Sequence, residues 1–183
     1  MTQPGTLIEN AYVVSDLEAA VDYWRGAGNA GPFFTGEYAL PASVCAYRGQ
    51  PTPLHTRFAF GVCGSIAIEL VQQMTPGPSV FTDMLESRGP GLHHLKYATP
   101  SRVAEVERLK GLGFEEVASL TAGGPERMIS FVDARAANGA FLEVMDYAVW
   151  RPSYEALVRA RAAWDGHTDS LRPWSRLNEY VEG

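Results

Sequence analysis

Cysteine is scarce in this chain: Cys45 and Cys63 are the only two among 183 residues. Two thiols do not make a disulfide framework, and this pair matches no zinc-ligand spacing. Both are expected as buried, reduced side chains, the usual state of free cysteine. Basic excess is missing too. A net charge of −6 leaves no electrostatic footprint for nucleic acid. No apolar run approaches the ~20 residues that a membrane helix requires. Met1 to Thr6 has no basic region followed by an apolar stretch, so no signal peptide is expected and the expected location is cytoplasmic. What is present is an ordinary globular balance, 46% hydrophobic and 20% charged, in a length that suits one domain or two small modules sharing a core.

The pattern along the chain occurs twice. Leu7 to Val14 is apolar and rich in β-formers, which predicts a strand. Ser15-Asp16 offers a helix N-cap, and Leu17, Ala20, Val21 and Trp24 fall at helical spacing. Strands are expected after Gly31-Pro32-Phe33-Phe34, over Ser43–Arg48, over Thr56–Val62, and, beyond a tight Gly64-Ser65 turn, over Ile66–Val71. Gln72 to Ser79, with Pro76-Gly77-Pro78, is the candidate linker, followed by a short helix over Val80–Glu86. The pattern then restarts. Leu92–Ala98 is a strand and Arg102–Leu112 an amphipathic helix. Phe114–Leu120, Arg127–Asp133 and Ala140–Met145 complete a second βαβββ unit. The expectation is a single α+β domain over residues 1–183, with modules 7–72 and 92–147. A C-terminal extension, 150–183, has Tyr154, Leu157, Val158, Arg161 and Trp164 at helical spacing, with Trp174 and Tyr180 expected to dock on the core.

Each unit ends in an apolar strand with one central carboxylate, Glu69 or Glu143. Because strand side chains alternate faces, Glu69 shares a face with Ala67 and Val71, and Glu143 with Phe141 and Met145. A charge in such a strand is costly unless paired or ligated. Each unit also opens on a polar residue at a matching place, since His94 to Ser101 repeats the spacing of Glu9 to Asp16. Alternation admits only one of His93 and His94 to a shared site. The repeat selects His94 and leaves His93 a structural or supporting role. Asn10 competes with Glu9, because a one-residue slip reverses the faces. Matched Glu9, Glu69, His94 and Glu143 make a candidate metal site.

The segments Tyr12-Val13-Val14-Ser15-Asp16-Leu17-Glu18-Ala19-Ala20, Ile68-Glu69-Leu70-Val71, Gly91-Leu92-His93-His94-Leu95 and Phe141-Leu142-Glu143-Val144 together resemble the vicinal oxygen chelate (glyoxalase, bleomycin resistance, dioxygenase) superfamily. The Gly-Leu-His-His segment looks most like the methylmalonyl-CoA epimerase branch. The resemblance implies paired βαβββ modules forming a half-open β-barrel around one divalent ion. It also implies ligands on the first and last strand of each module: Glu9, Glu69, His94 and Glu143. Family members usually carry His or Gln at the position of Glu9, so Glu9 stands either as a ligand or as a base. An oxygen-rich set suits Mn, Mg, Co, Ni or Zn. Extradiol dioxygenase chemistry is disfavoured, because it uses two histidines and His55 and His167 fall outside the pattern.

The implied chemistry is proton abstraction next to a carbonyl, with the metal as Lewis acid and Glu143 or Glu69 as base. An isomerase, epimerase or lyase is expected. Tyr12, Phe33, Phe34, Tyr47, Phe58 and Phe60 are candidates to line a pocket for a small apolar or aromatic substrate, with Tyr12 and Phe34 the preferred contacts. Lys96 shares the His94 face and either holds an anionic substrate group or sits at the rim. The competing reading is a non-catalytic drug- or metabolite-sequestering protein, which would hold no stoichiometric metal. A homodimer is the family expectation.

Overall fold

The computed structural model describes residues 5–122 and 128–181. The first unit comprises strand β1 (Leu7–Val13), helix α1 (Leu17–Gly26), β2 (Phe33–Leu40), a short hairpin of β3 (Cys45–Tyr47) and β4 (Gln50–Pro51), β5 (Leu54–Cys63) and β6 (Ile66–Gln73). Helix α2 (Val80–Arg88) connects to β7 (Gly91–Tyr97), α3 (Arg102–Gly111), β8 (Glu115–Thr121), β9 (Met128–Asp133), α4 (Arg135–Asn138) and β10 (Phe141–Val144). Arg127, expected to open β9, lies outside the described residues. The extension holds α5 (Tyr147–Ala163), β11 (Leu171–Pro173) and a 3₁₀ segment, Trp174–Tyr180. Among the described residues no helix is long and apolar enough to cross a membrane.

The repeat is realised down to its helix caps. Asp16 Oδ1 accepts from the Ala19 amide at 2.9 Å, and Ser101 Oγ accepts from the Ala104 amide at 3.3 Å. Each cap satisfies one of the amides that a helix start leaves unpaired. All strands join one sheet in the order β11-β2-β5-β6-β1-β7-β10-β9-β8-β3-β4, which curls into a half-open barrel. The two units meet inside the chain, where β1 runs antiparallel to β7. The β3 strand departs from the expected arrangement. It leaves its own unit and pairs with β8 of the other, Ala46 opposite Ser119, so the hairpin covers that unit's edge. The opposite edge, β2, is covered by β11. Pro51 and Pro173 stand on the two outermost strands, where a missing amide donor blocks further pairing.

Packing follows the faces that alternation assigns. Ile68 and Leu70 face outward onto Leu17 and Val21 of α1. Val144 and Val132 face outward onto Val106 and Leu109 of α3. The concave side holds two further apolar clusters. One gathers Val13, Val71, Phe81, Phe131 and Phe141. The other gathers Ile8, Phe58, Phe60, Met145 and Trp150 with Ala156, Leu157 and Ala160 of α5. The extension therefore fills part of the barrel mouth instead of trailing from it. Trp174 lies 5.4 Å from Phe58 and 5.5 Å from Phe60, and Tyr180 lies 6.1 Å from Phe34. Cys45 is buried as expected, whereas Cys63 is half-buried and bonds the Gly28 carbonyl.

Candidate metal centre

Between the two concave apolar clusters lies a group of charged side chains. Glu9, Glu69, His94 and Glu143 each offer one ligand atom, and these atoms lie within 4.8 Å of one another. Glu9 is 0% exposed, His94 1%, Glu143 5% and Glu69 8%. Glu9, not Asn10, is the residue that enters. Ladder register explains the convergence. Ala11 stands opposite both Glu69 on β6 and His94 on β7, and Lys96 stands opposite both Glu9 on β1 and Glu143 on β10. Four adjacent strands thus deliver the side chains to one point.

Alternation alone would send His93 outward, yet His93 is fully buried beside His94, with ring centroids 5.1 Å apart. The cause is a register shift. On β7, Leu92 pairs with Tyr12 and His94 with Ala11, so His93 is the extra residue of a bulge. A bulge re-aims the side chains around it. The same irregularity occurs on β1, where Ile8 is passed over between Leu7 and Glu9. Ile8-Glu9 and His93-His94 are therefore equivalent inward-facing pairs.

The extra histidine sets the tautomer of its neighbour. His93 Nε2 lies 3.1 Å from the Val80 carbonyl, which only accepts, so this nitrogen carries the proton. Burial holds the His93 pKa well below the ordinary histidine value, so the ring is neutral and its Nδ1 is a bare acceptor. His94 Nδ1, 2.8 Å away, therefore donates to it. That leaves His94 Nε2 facing Glu143 Oε2 at 2.9 Å, Glu69 Oε2 at 3.1 Å and Glu9 Oε1 at 3.5 Å. A neutral imidazole would aim a lone pair at three carboxylates. The position calls for a cation, either a proton on Nε2 or a metal ion. Without an ion the proton is favoured. Burial opposes the charge on His94, but Glu143 together with bonds to Glu143, Glu69 and Glu9 outweighs it and raises the pKa well above the usual value.

The donor set fits a metal ion on a further observation. Glu9 Oε1, Glu69 Oε2, His94 Nε2 and Glu143 Oε1 are all buried and face only the charged groups of the cluster itself, Lys96 against Glu9 Oε1 and Glu143 Oε1 and His94 against Glu69 Oε2. Three carboxylates and an imidazole turned toward one another in a buried pocket form the pattern expected where a cation is to be ligated. The charges are distributed unevenly. Burial pushes the Glu69 carboxyl up to about 7 despite its bond to His94. Glu143 is also buried, but Lys96 and His94 draw its carboxyl down to about 2.

A cavity of about 40 Å³ opens off the cluster, lined by Tyr38, Phe60, Glu69, Lys96, Ala122, Ile129, Glu143, Met145 and Trp150. Of the aromatic residues expected there, only Phe60 lines it. Phe58 stacks behind Tyr38 at 4.6 Å. Phe34 is fully buried beneath Tyr180. Tyr12 and Phe33 face the α1 side, Tyr12 with its ring 5.0 Å from Trp24. Tyr47 belongs to the other concave cluster. Trp150 and Tyr38 are cavity walls that sequence reasoning did not assign. Nothing in the sequence marks Trp150 beyond its place in a helical tail. Lys96 is neither at a rim nor free for an anion: its ammonium lies 2.8 Å from Glu9 Oε1, 2.9 Å from Glu9 Oε2 and 2.7 Å from Glu143 Oε1.

Comparison with known proteins agrees with the fold. The sequence profile of the Glyoxalase/Bleomycin resistance protein/Dioxygenase superfamily matches residues 10–131. Methylmalonyl-CoA epimerase from Mycobacterium tuberculosis superposes with a TM-score of 0.55 at 20% identity, over 80% of this chain and 91% of that one. A hypothetical protein from Bacillus halodurans superposes with a TM-score of 0.56 at 20% identity, over 77% and 93%. A methylmalonyl-CoA epimerase in complex with methylmalonyl-CoA and NH4+ gives 0.53 at 20% identity, over 80% and 98%. No curated protein matches the chain.

Proposed function

The chain belongs to the glyoxalase/bleomycin resistance protein/dioxygenase superfamily, and on that premise we propose that it is a divalent-metal-dependent isomerase, epimerase or lyase that moves a proton next to a carbonyl group of a small substrate. The observation that carries the reading is the convergence of buried ligand atoms from Glu9, Glu69, His94 and Glu143 within 4.8 Å of one another. When bound, a divalent ion there would act as a Lewis acid toward a substrate carbonyl oxygen, making the adjacent C–H more acidic. The His93-to-His94 hydrogen bond keeps the Nε2 lone pair of His94 aimed inward, as a ligand requires.

The two cavity-facing carboxylates differ in what they can do. Glu143 is held strongly anionic by Lys96 and His94, which suits a ligand and makes it a weak base. Burial raises the Glu69 carboxyl of the metal-free protein to about 7, so Glu69 is the more readily protonated of the two and is the one assigned as base. In this mechanism the Glu69 carboxylate takes the proton as the substrate C–H bond breaks. It then holds the proton until a C–H bond re-forms on the same or a neighbouring carbon. Phe60, Met145, Ile129 and Trp150 supply apolar walls, which exclude water and favour a small apolar or aromatic substrate. The relatives named for methylmalonyl-CoA are identical to this chain at a fifth of positions or fewer, so no CoA thioester is assigned to this chain.

The test is metal content by inductively coupled plasma mass spectrometry on the wild type and His94→Ala, followed by α-proton exchange in D2O over a panel of carbonyl compounds. The expected result is about one divalent ion per chain, lost in His94→Ala, with exchange that Glu69→Gln abolishes. A wild type that takes up no Mn, Co, Ni or Zn would instead favour a metabolite-sequestering protein.

A further inference from the structure

We propose that Lys96 is the charge-balancing residue of this site, a built-in counter-cation that holds the buried carboxylates together and matches their charge to a divalent ion. This inference rests on the metal-site reading above. It starts from an asymmetry in the repeat. Residues of the first unit's opening strand map onto the second at the offset that carries Glu9 to His94, and that offset carries Ala11 to Lys96. The two stand in equivalent ladder positions, each opposite the other unit's first-strand ligand and beside its own unit's last-strand carboxylate. One unit places a buried methyl group there. The other places an ammonium.

The surroundings of that ammonium are those of a fixed charge. Lys96 is 3% exposed. It donates to Glu9 Oε2 at 2.9 Å and makes close ionic contact with Glu9 Oε1 and Glu143 Oε1. Its remaining side faces the Trp150 ring, 4.3 Å from the ring centroid, a favourable contact for a desolvated cation. No donor is left over for a substrate anion. The charge count is then closed. Glu9, Glu69 and Glu143 supply three negative charges, Lys96 supplies one positive charge, and a divalent cation supplies the remaining two. Without Lys96, three carboxylates would confront one another in a low-dielectric pocket with only His94 to oppose them, a costly arrangement for buried charge.

This role has a sign that a merely structural lysine lacks. Deleting a nearby positive charge should weaken the metal-free protein yet strengthen its hold on a divalent ion. The experiment is Co2+ titration by calorimetry and by the visible absorption of the bound ion, with thermal melts of the metal-free protein, on wild type, Lys96→Met and Lys96→Gln. Lys96→Met is expected to melt lower without metal and to bind Co2+ at least about tenfold more tightly, given the size of charge interactions at this range. Lys96→Gln keeps a hydrogen-bond donor beside the carboxylates but carries no charge. It is expected to tighten Co2+ binding in the same direction, and it remains informative should Lys96→Met fail to fold. Unchanged or weaker Co2+ binding by either variant that folds overturns the proposal. A wild type that binds no Co2+ removes the metal reading itself, a result distinct from either.

Discussion

Replacing His93 by phenylalanine separates a packing role from a chemical one. The imidazole is stacked on Phe81 at 4.6 Å and tilted against Phe141 at 5.1 Å, so an aromatic ring of similar shape keeps most of the apolar contact. What it loses is two hydrogen bonds, the one His93 donates to the Val80 carbonyl and the one it accepts from His94 Nδ1. Both abandoned partners stay buried, and each such group costs about 1–3 kcal/mol. A total of about 2–6 kcal/mol corresponds to a melting-temperature fall of roughly 5–20 °C in a chain this size. With the tautomer of His94 no longer enforced, Co2+ affinity should fall about 10- to 100-fold, as for other partners of metal-bound histidines. Thermal melts with and without Co2+, and calorimetric titration, measure both effects. If His93 serves only to fill space, His93→Phe melts near the wild type and binds Co2+ with unchanged affinity, and the tautomer argument fails.

Acidity provides a second handle. The folded-state pKa of Glu69, about 7, lies above its ordinary 4.5, and His94 is raised as well. The stability each contributes is full below its ordinary pKa and is lost as pH rises through the folded value. The metal-free protein should therefore melt progressively lower from pH 6 to pH 8. A divalent ion displaces those protons, so the metal-induced rise in melting temperature should grow over the same interval. A rise that is flat with pH would contradict the assignment of these two groups to the ion. Trp150 tests the extension. Its indole N–H is buried without a partner, so Trp150→Phe should be nearly neutral. Trp150→Ala should cost about 3–5 kcal/mol in urea melts, and equal melts for the two variants would show that α5 does not pack on the site as described.

The repeat was legible because it appears in two independent signals, the apolar periodicity and the spacing of polar residues. Glu9 to Asp16 and His94 to Ser101 share both the inward-facing residue and the N-cap. The carboxylates Glu69 and Glu143 were legible because a single charge in an apolar strand has few cheap environments. The hairpin of β3 and β4 was not. Cys45–Tyr47 has the composition of a strand, but composition does not say which edge it will pair with, and the choice of β8 depends on where the barrel leaves an edge open. The placement of Tyr12 failed for a different reason. The irregularity beside Tyr12 adds its extra residue to β7, and no residue of β1 is passed over between Glu9 and Tyr12. Counting from Glu9 therefore assigns Tyr12 to the helix side, where it meets Trp24. Lys96, counted from His94 in the same way, is assigned to the interior.

The bulges are where local pattern and global fold part company. Strict alternation allows one of two neighbouring residues into a shared interior, and on that rule His93 belonged outside. The extra residue in β7 brings both histidines inward and supplies the tautomer relay; its counterpart in β1 brings Ile8 in beside Glu9. Register is strongly specified where one face of a strand is buried, and both bulged strands lie inside the sheet with a neighbour on each side. Here β6 and β10 run parallel to β1 and β7 and pin Ala11 and Lys96 against Glu69 and Glu143. The pairing that fixes the register is thus the same pairing that sets the charged groups facing one another. A substitution that slipped either bulge would turn Glu9 or His94 out of the cluster at the cost of one residue of register, while leaving every strand formed. The site is for that reason more fragile than the fold that carries it.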